Sequence, residues 1–201
     1  MRGNEAIWMG ILLMVALITA AMRYFPYFPG DVAVAGLVQS VAPKSLYWAR
    51  LISLTAAFPL NLLLLTVTCA LSWVMAGRRA AFLAILSFGG IWALGTWLSP
   101  IIARPRPSPA LVQVAGSPPG YSFPSFFALT YASTLGFLAL LAIFKDSGRL
   151  RVALVTLCCV LLIMGGAARL ALGAHWPSDV IISYLLGLLW AAFLIRFAYK
   201  A

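Results

Sequence analysis

Charge is what this chain has least of. Only 9% of its 201 residues are charged, aspartate and glutamate together number four, and His175 is the single histidine. With 64% of residues hydrophobic and a mean hydropathy of +1.02, the apolar surface exceeds what a soluble core of this size could hide. A water-soluble globular class is excluded, and lipid is the main solvent. Cys69, Cys158 and Cys159 all fall inside apolar runs, without the paired loop spacing of a disulfide framework or zinc site. They read as helix-packing residues.

What is present is a series of apolar runs of about 17–25 residues, long enough to cross the hydrocarbon core as helices. They fall at Ala6–Met22, Leu51–Met75, Ala80–Leu98, Ser125–Phe144, Val152–Leu170 and Val180–Phe197. The expected fold is therefore an all-α membrane protein, a bundle of six transmembrane helices in a single domain spanning residues 1–201. The first run has a second reading as a cleaved secretory signal, since Arg2 precedes an apolar stretch ending near Ala20 and Ala21. Removal would leave five spans, whereas an uncleaved helix keeps the count even. Pro59 predicts a kink in the second span, and Gly165-Gly166 a close helix contact in the fifth.

Six spans put Arg2, Arg78, Arg79, Lys145, Arg149, Arg151, Arg196 and Lys200 on one side, with both termini, and the positive-inside rule makes that side cytoplasmic. The net charge of +10 is scattered over short loops, which suits orientation and anionic lipid rather than nucleic acid. Arg23, Lys44, Arg50, Arg104, Arg106 and Arg169 lie on the opposite, extracytoplasmic side. Between the first two spans, Asp31–Val41 reads either as a short helix flat in the interface or as a plain connecting loop. Six of the twelve prolines, at 100, 105, 107, 109, 118 and 119, crowd Ser99–Phe123. That segment is expected to be an outward loop, neither helix nor central strand.

Three clusters share the outward side: Arg104-Pro-Arg106-Pro107, Phe123-Pro-Ser125, and Arg169 through His175 to Asp179. Charges that remain near helix ends in lipid usually face a cavity and a partner. An arginine fork can bind two phosphate oxygens at once and stays charged, so Arg104, Arg106 and Arg169 together would make an anion site. Ser125 stands at the start of the fourth span, where free N–H groups favour anions, although a simple N-cap is the alternative. Asp179, four residues after His175, could turn back to hold the imidazole and fix its tautomer, leaving the other nitrogen free to attack phosphorus. It could also be only a capping charge.

In order and spacing these residues resemble the type-2 phosphatidic acid phosphatase and vanadium haloperoxidase superfamily. The family pattern is Lys-x6-Arg-Pro, then Pro-Ser-Gly-His, then Ser-Arg-x5-His-x3-Asp. Here the three blocks are Ser99-x6-Arg106-Pro107, Pro124-Ser125-Phe126-Phe127 and Ala168-Arg169-x5-His175-x3-Asp179, covering Ser99 to Asp179. The resemblance implies an outward-facing pocket in which Arg106, Ser125 and Arg169 bind phosphate, His175 forms a phosphohistidine and Asp179 orients it. The implied substrate is a phosphorylated membrane lipid, such as a polyprenyl pyrophosphate or a phosphatidate-like ester. No metal or other cofactor is expected, because arginines rather than carboxylates crowd the site and hard cations want several oxygen ligands.

The departures are as informative as the matches. The pattern's lysine is Ser99, its glycine Phe126, its third-block serine Ala168, and the histidine that protonates the leaving group is Phe127. Phenylalanine can do neither acid catalysis nor phosphate binding, and there is no second histidine in the chain. Two readings stay open: a lipid phosphatase of reduced activity, and a silent relative that binds or translocates a phosphorylated lipid. Vanadate-dependent halide oxidation fits poorly, since that branch is soluble and uses the missing histidine.

Overall fold

The computed structural model describes residues 2–115, 119–145 and 148–199, with side chains for all but 2–5 and 150. Pro118, the Arg2 side chain and Lys200, used above, lie outside the described residues. Eight α-helices follow one another among them: α1 Arg2–Ala21, α2 Asp31–Val41, α3 Tyr47–Leu54, α4 Leu60–Ile102, α5 Phe126–Tyr131, α6 Phe137–Lys145, α7 Arg149–Ala171 and α8 Pro177–Tyr199. Four stretches are long and apolar enough to cross a membrane: Leu60–Ile102, Phe126–Lys145, Arg151–Ala171 and Pro177–Tyr199.

α4 is two arms rather than one rod. Ala76 and Gly77 leave helical geometry, Gly77 with φ 79°, a left-handed value that glycine adopts without steric cost. Across this break the Cys69 thiol lies 3.7 Å from the Ala81 carbonyl oxygen, whereas twelve residues of straight helix would span about 18 Å. The second and third apolar runs therefore fold back on each other. Near this turn Lys145 lies over the Tyr199 ring at 3.8 Å and Arg79 over the same ring at 5.6 Å. The basic ends of three runs thus gather at one end of the bundle.

Two expectations need correction. The run Leu51–Met75 is not one helix with a kink: α3 stops at Leu54 and α4 begins only at Leu60. Proline at 59 lacks the N–H an interior position would donate, and the Thr55 hydroxyl instead caps the Ile52 carbonyl at 2.7 Å. Conversely, the proline-rich segment does not begin at Ser99, because helix continues through Pro100 to Ile102. A proline in a last turn forfeits one hydrogen bond, and Ala103 (φ 50°) ends the helix with its N–H on the Ser99 carbonyl.

α5 and α6 form one continuous span joined by a π-helical turn, Ala132–Gly136, and this span is the bundle's axis. Most of it is buried, with Phe137, Leu141 and Ala132 fully enclosed. The Ser87 hydroxyl donates to the Ser133 carbonyl at 3.0 Å within the wide turn, consistent with the need to satisfy backbone groups in lipid. Glycines let neighbours close in on this axis. A Cβ on Gly187 would meet that of Ala132 at 2.5 Å, and one on Gly165 would meet the Phe127 ring at 2.8 Å. Outward, Leu13, Val74, Phe82, Trp97, Ile163 and Phe197 are all more than half exposed, as expected of side chains solvated by lipid tails.

Candidate functional site

The end of the bundle opposite Lys145 carries the polar groups. His175 lies in the short link between α7 and α8 and is 4% exposed. Its Nδ1 is 2.7 Å from the Ser122 carbonyl oxygen. A carbonyl only accepts, so Nδ1 carries the proton and Nε2 of the neutral ring keeps a free lone pair. Burial lowers the imidazole's pKa well below its usual value, the charges of Arg169 and Arg106 lower it further, and the Ser122 bond opposes them. A ring poised to be neutral beside two guanidinium groups is suited to nucleophilic attack on an anion those groups attract.

The charges of Arg106 and Arg169 reach this ring, and they are incompletely neutralised. Arg106 donates to neutral carbonyls only: Gly120 at 3.1 Å, Ala174 at 2.6 Å and Pro119 at 3.3 Å. Burial lowers its pKa, with the Asp179 charge pulling the other way. Arg169 donates to the Ser53 hydroxyl at 2.9 Å, its buried Nε has no partner among the described residues, and its guanidinium lies over the Phe127 ring at 5.5 Å. Among the described residues neither arginine spends its charge on a carboxylate, so both retain donor capacity and net charge for an anion.

Arg104, expected with them as a phosphate ligand, differs from them in its partners. It is fully buried between two carboxylates, Asp31 at 3.1 Å and Asp179. It also donates to the Ser178 hydroxyl at 2.8 Å and the Phe25 carbonyl at 3.2 Å, and stacks on Phe28. Four of its five guanidinium hydrogens are thereby used, and its charge is matched by carboxylates. Asp179 differs from expectation too. Its carboxylate takes Arg104, the Ser122 hydroxyl and the Trp176 N–H at 2.9 Å, while the imidazole meets Ser122. Any hold of Asp179 on His175 passes through that serine.

Ser125 is fully buried and caps α5, its hydroxyl accepting from the Ala128 N–H at 3.4 Å while its own N–H goes to the Ser183 hydroxyl at 2.9 Å. The next two residues turn away to pack. Phe126 meets the Trp92 ring with centroids 4.9 Å apart, and Phe127 meets Tyr131 at 4.3 Å. Two cavities of about 400 and 350 Å³ lie beside the C-terminal half of α2, lined by Gln39 and Gln113, and neither is lined by His175, Arg106 or Arg169. The imidazole itself is almost fully enclosed.

Sequence reasoning missed Ser122, Ser178 and above all Asp31. A signal for Asp31 was available: one of only four acidic residues in the chain, it stands beside prolines between two apolar runs, where an unpaired carboxylate is expensive. Ser122 carried none, because its backbone carbonyl does the work.

The fold is similar, with a TM-score of 0.76 and 96% of each chain covered at 21% identity, to the crystal structure of the first transmembrane PAP2 type phosphatidylglycerolphosphate phosphatase from Bacillus subtilis. No curated protein matches the sequence. The family model of the PAP2 superfamily matches residues 78–201, which include Arg106, Ser125, Arg169, His175 and Asp179. This multi-pass membrane protein belongs to the PAP2 superfamily.

Proposed function

We propose that the chain is a metal-independent lipid phosphatase that works through a phosphohistidine on His175. The observation that carries the reading is the neutral imidazole, anchored at Nδ1 by the Ser122 carbonyl, within reach of the charges of the under-neutralised Arg106 and Arg169. In the first step Nε2 attacks phosphorus and the bond from phosphorus to the leaving oxygen breaks, that oxygen departing with the electron pair. In the second, water attacks the phosphoimidazole, the P–N bond breaks and inorganic phosphate leaves. Arg106 and Arg169 stabilise the charge on the transferring group. To receive it, Arg106 exchanges its carbonyl partners for phosphate oxygens. The site's two carboxylates are already committed to Arg104, which argues against a divalent cation ligand set.

The leaving group decides the substrate. Phe127 stands where the family pattern has a proton-donating histidine, and a positioned acid contributes about 10²–10⁴-fold. A pyrophosphate lipid, whose leaving group departs as a stabilised anion, suits the site better than an alkyl monoester. In the arrangement we infer, six spans keep both termini in the cytoplasm and the His175 end faces outward across the inner membrane, with the phosphorylated lipid drawn from that leaflet.

Phosphate release by the purified protein from polyprenyl pyrophosphate and phosphatidate in mixed micelles tests this reading. The expected result is turnover that survives chelation, favours the pyrophosphate and disappears in His175→Ala. Absence of turnover on both, with retained lipid binding, would instead establish the silent binder that the loss of the acid favours. Activity lost to chelator and restored by magnesium would contradict metal independence.

A further inference from the structure

α2 is tied at both ends to the segments that hold the reacting groups. At its start Asp31 reaches the first turn of α8, accepting from the Ser178 N–H at 2.9 Å and its hydroxyl at 2.7 Å, and it also accepts from the Phe28 N–H at 2.8 Å. It thus caps a helix from outside, satisfying a donor that helix starts leave free. At its far end Gln39 donates to the Leu170 carbonyl at 3.1 Å and the Gln113 carbonyl at 2.8 Å, and accepts from the Gln113 N–H at 3.0 Å. The first of these bonds falls beside Arg169.

Asp31 and Asp179 share Arg104. One guanidinium between two buried carboxylates leaves a negative charge unmatched, so the triad is a poor stability device. What it fixes is geometry. Asp179 accepts from the Ser122 hydroxyl, the Ser122 N–H donates to the Arg104 carbonyl at 2.8 Å, and the Ser122 carbonyl holds His175.

We propose that Asp31 is a positioning residue: through Arg104, Asp179 and Ser122 it holds the carbonyl that keeps His175 in the Nδ1–H tautomer with Nε2 free. Asp31 touches no reacting atom. Its catalytic consequence rests on the phosphohistidine reading, whereas its effect on the imidazole does not.

Because His175 is the single histidine, ¹⁵N-histidine labelling of the whole detergent-solubilised chain gives one imidazole, whose two nitrogens report the tautomer without any substrate. The native spectrum should show one protonated Nδ1 and one unprotonated Nε2. Asp31→Asn should populate the second tautomer and lower kcat on pyrophosphate lipid by roughly 10- to 100-fold, the scale of small misplacements, with KM within about twofold. Asp31→Glu should recover part of the loss. Ser122→Ala keeps the carbonyl and every buried charge but cuts the link to Asp179, so it should reproduce the Asp31→Asn spectrum. The double variant should be no worse than the poorer single one, as for groups on one path.

A native tautomer in Asp31→Asn, or additive losses in the double variant, overturns the proposal. If Asp31→Asn does not fold, Ser122→Ala with a native tautomer does so alone. A shifted tautomer in variants of a chain that turns over no lipid would support the link from Asp31 to His175 while overturning the phosphatase reading.

Discussion

Arg104 and Arg106 stand two residues apart in one Arg-Pro-Arg-Pro run, and they meet opposite fates. Arg104 points into the bundle and is cancelled by Asp31 and Asp179, with no exposed surface. Arg106 is bonded to the carbonyls of Gly120, Pro119 and Ala174, which use three of its five guanidinium hydrogens and leave its charge. The difference teaches that an arginine's partners, not its presence in a motif, decide whether it can hold an anion. Carboxylates convert the guanidinium into a strut. Carbonyls merely aim it, and Arg169, bonded to a hydroxyl and stacked on Phe127, belongs with this second kind.

Paired substitutions give the widest separation. Arg104→Met leaves two buried carboxylates facing each other without a counter-charge, and removing one partner from a buried ion network costs about 3–5 kcal/mol. Thermal unfolding in detergent should fall steeply, with activity lost alongside it. Arg106→Met should leave the unfolding midpoint close to native. It should weaken competitive inhibition by inorganic phosphate by roughly 10- to 100-fold, the worth of a charged hydrogen bond of about 1.5–3 kcal/mol. Equal effects of the two variants on stability would break the distinction.

Whatever depends on one local rule was legible in the chain. Apolar run length located the long spans, and the spacing from Arg169 to His175 to Asp179 placed His175 in a link before α8. Pro59 flagged the disturbance between α3 and α4, although the break proved wider than a kink. What stayed hidden depended on direction. Nothing local says that Arg104 turns inward and Arg106 does not, since that is settled by Asp31, 73 residues away along the chain. Nor could any pattern assign the His175 partner to a backbone carbonyl. Ser125 illustrates the same limit: cap and ligand readings call for the same residue at the same place, and here it caps α5.

Phe127 lies on the under-neutralised side, so restoring the acid there sharpens the comparison. Phe126→Gly with Phe127→His should raise turnover of a lipid monoester by about 10²-fold, the low end of general-acid effects, with less gain on pyrophosphate. A stability loss should accompany it, because the Phe127 ring fills the space left by Gly165 and packs on Tyr131, and shrinking a buried aromatic leaves a void. Ser99→Lys added to this pair would return the family's remaining phosphate-binding charge. No gain on monoesters, measured as phosphate release with folding verified, would mean that Phe127 is not in reach of a leaving group.

The smallest effect expected is a pH dependence that reports the same charge imbalance through His175. Its pKa is held down by burial and by Arg169 and Arg106, against the pull of the Ser122 carbonyl. The folded ring is therefore neutral at pH values where an unfolded histidine, at about 6.5, has begun to bind a proton. Stability contributed by the neutral ring is present above about 6.5 and falls as pH drops from there towards the folded pKa, by at most about 1.4 kcal/mol per pH unit for one proton. His175→Gln should remove this one-proton slope from the unfolding curves. In kinetics, the acid limb of kcat/KM, which follows the free enzyme's essential base, should lie well below the ordinary histidine value of about 6.5 in the native chain. Arg106→Met removes one of the two cations that depress the ring, so the limb should move to higher pH. A limb at about 6.5 in the native protein, unmoved by Arg106→Met, would show that the charge on this side does not reach the imidazole.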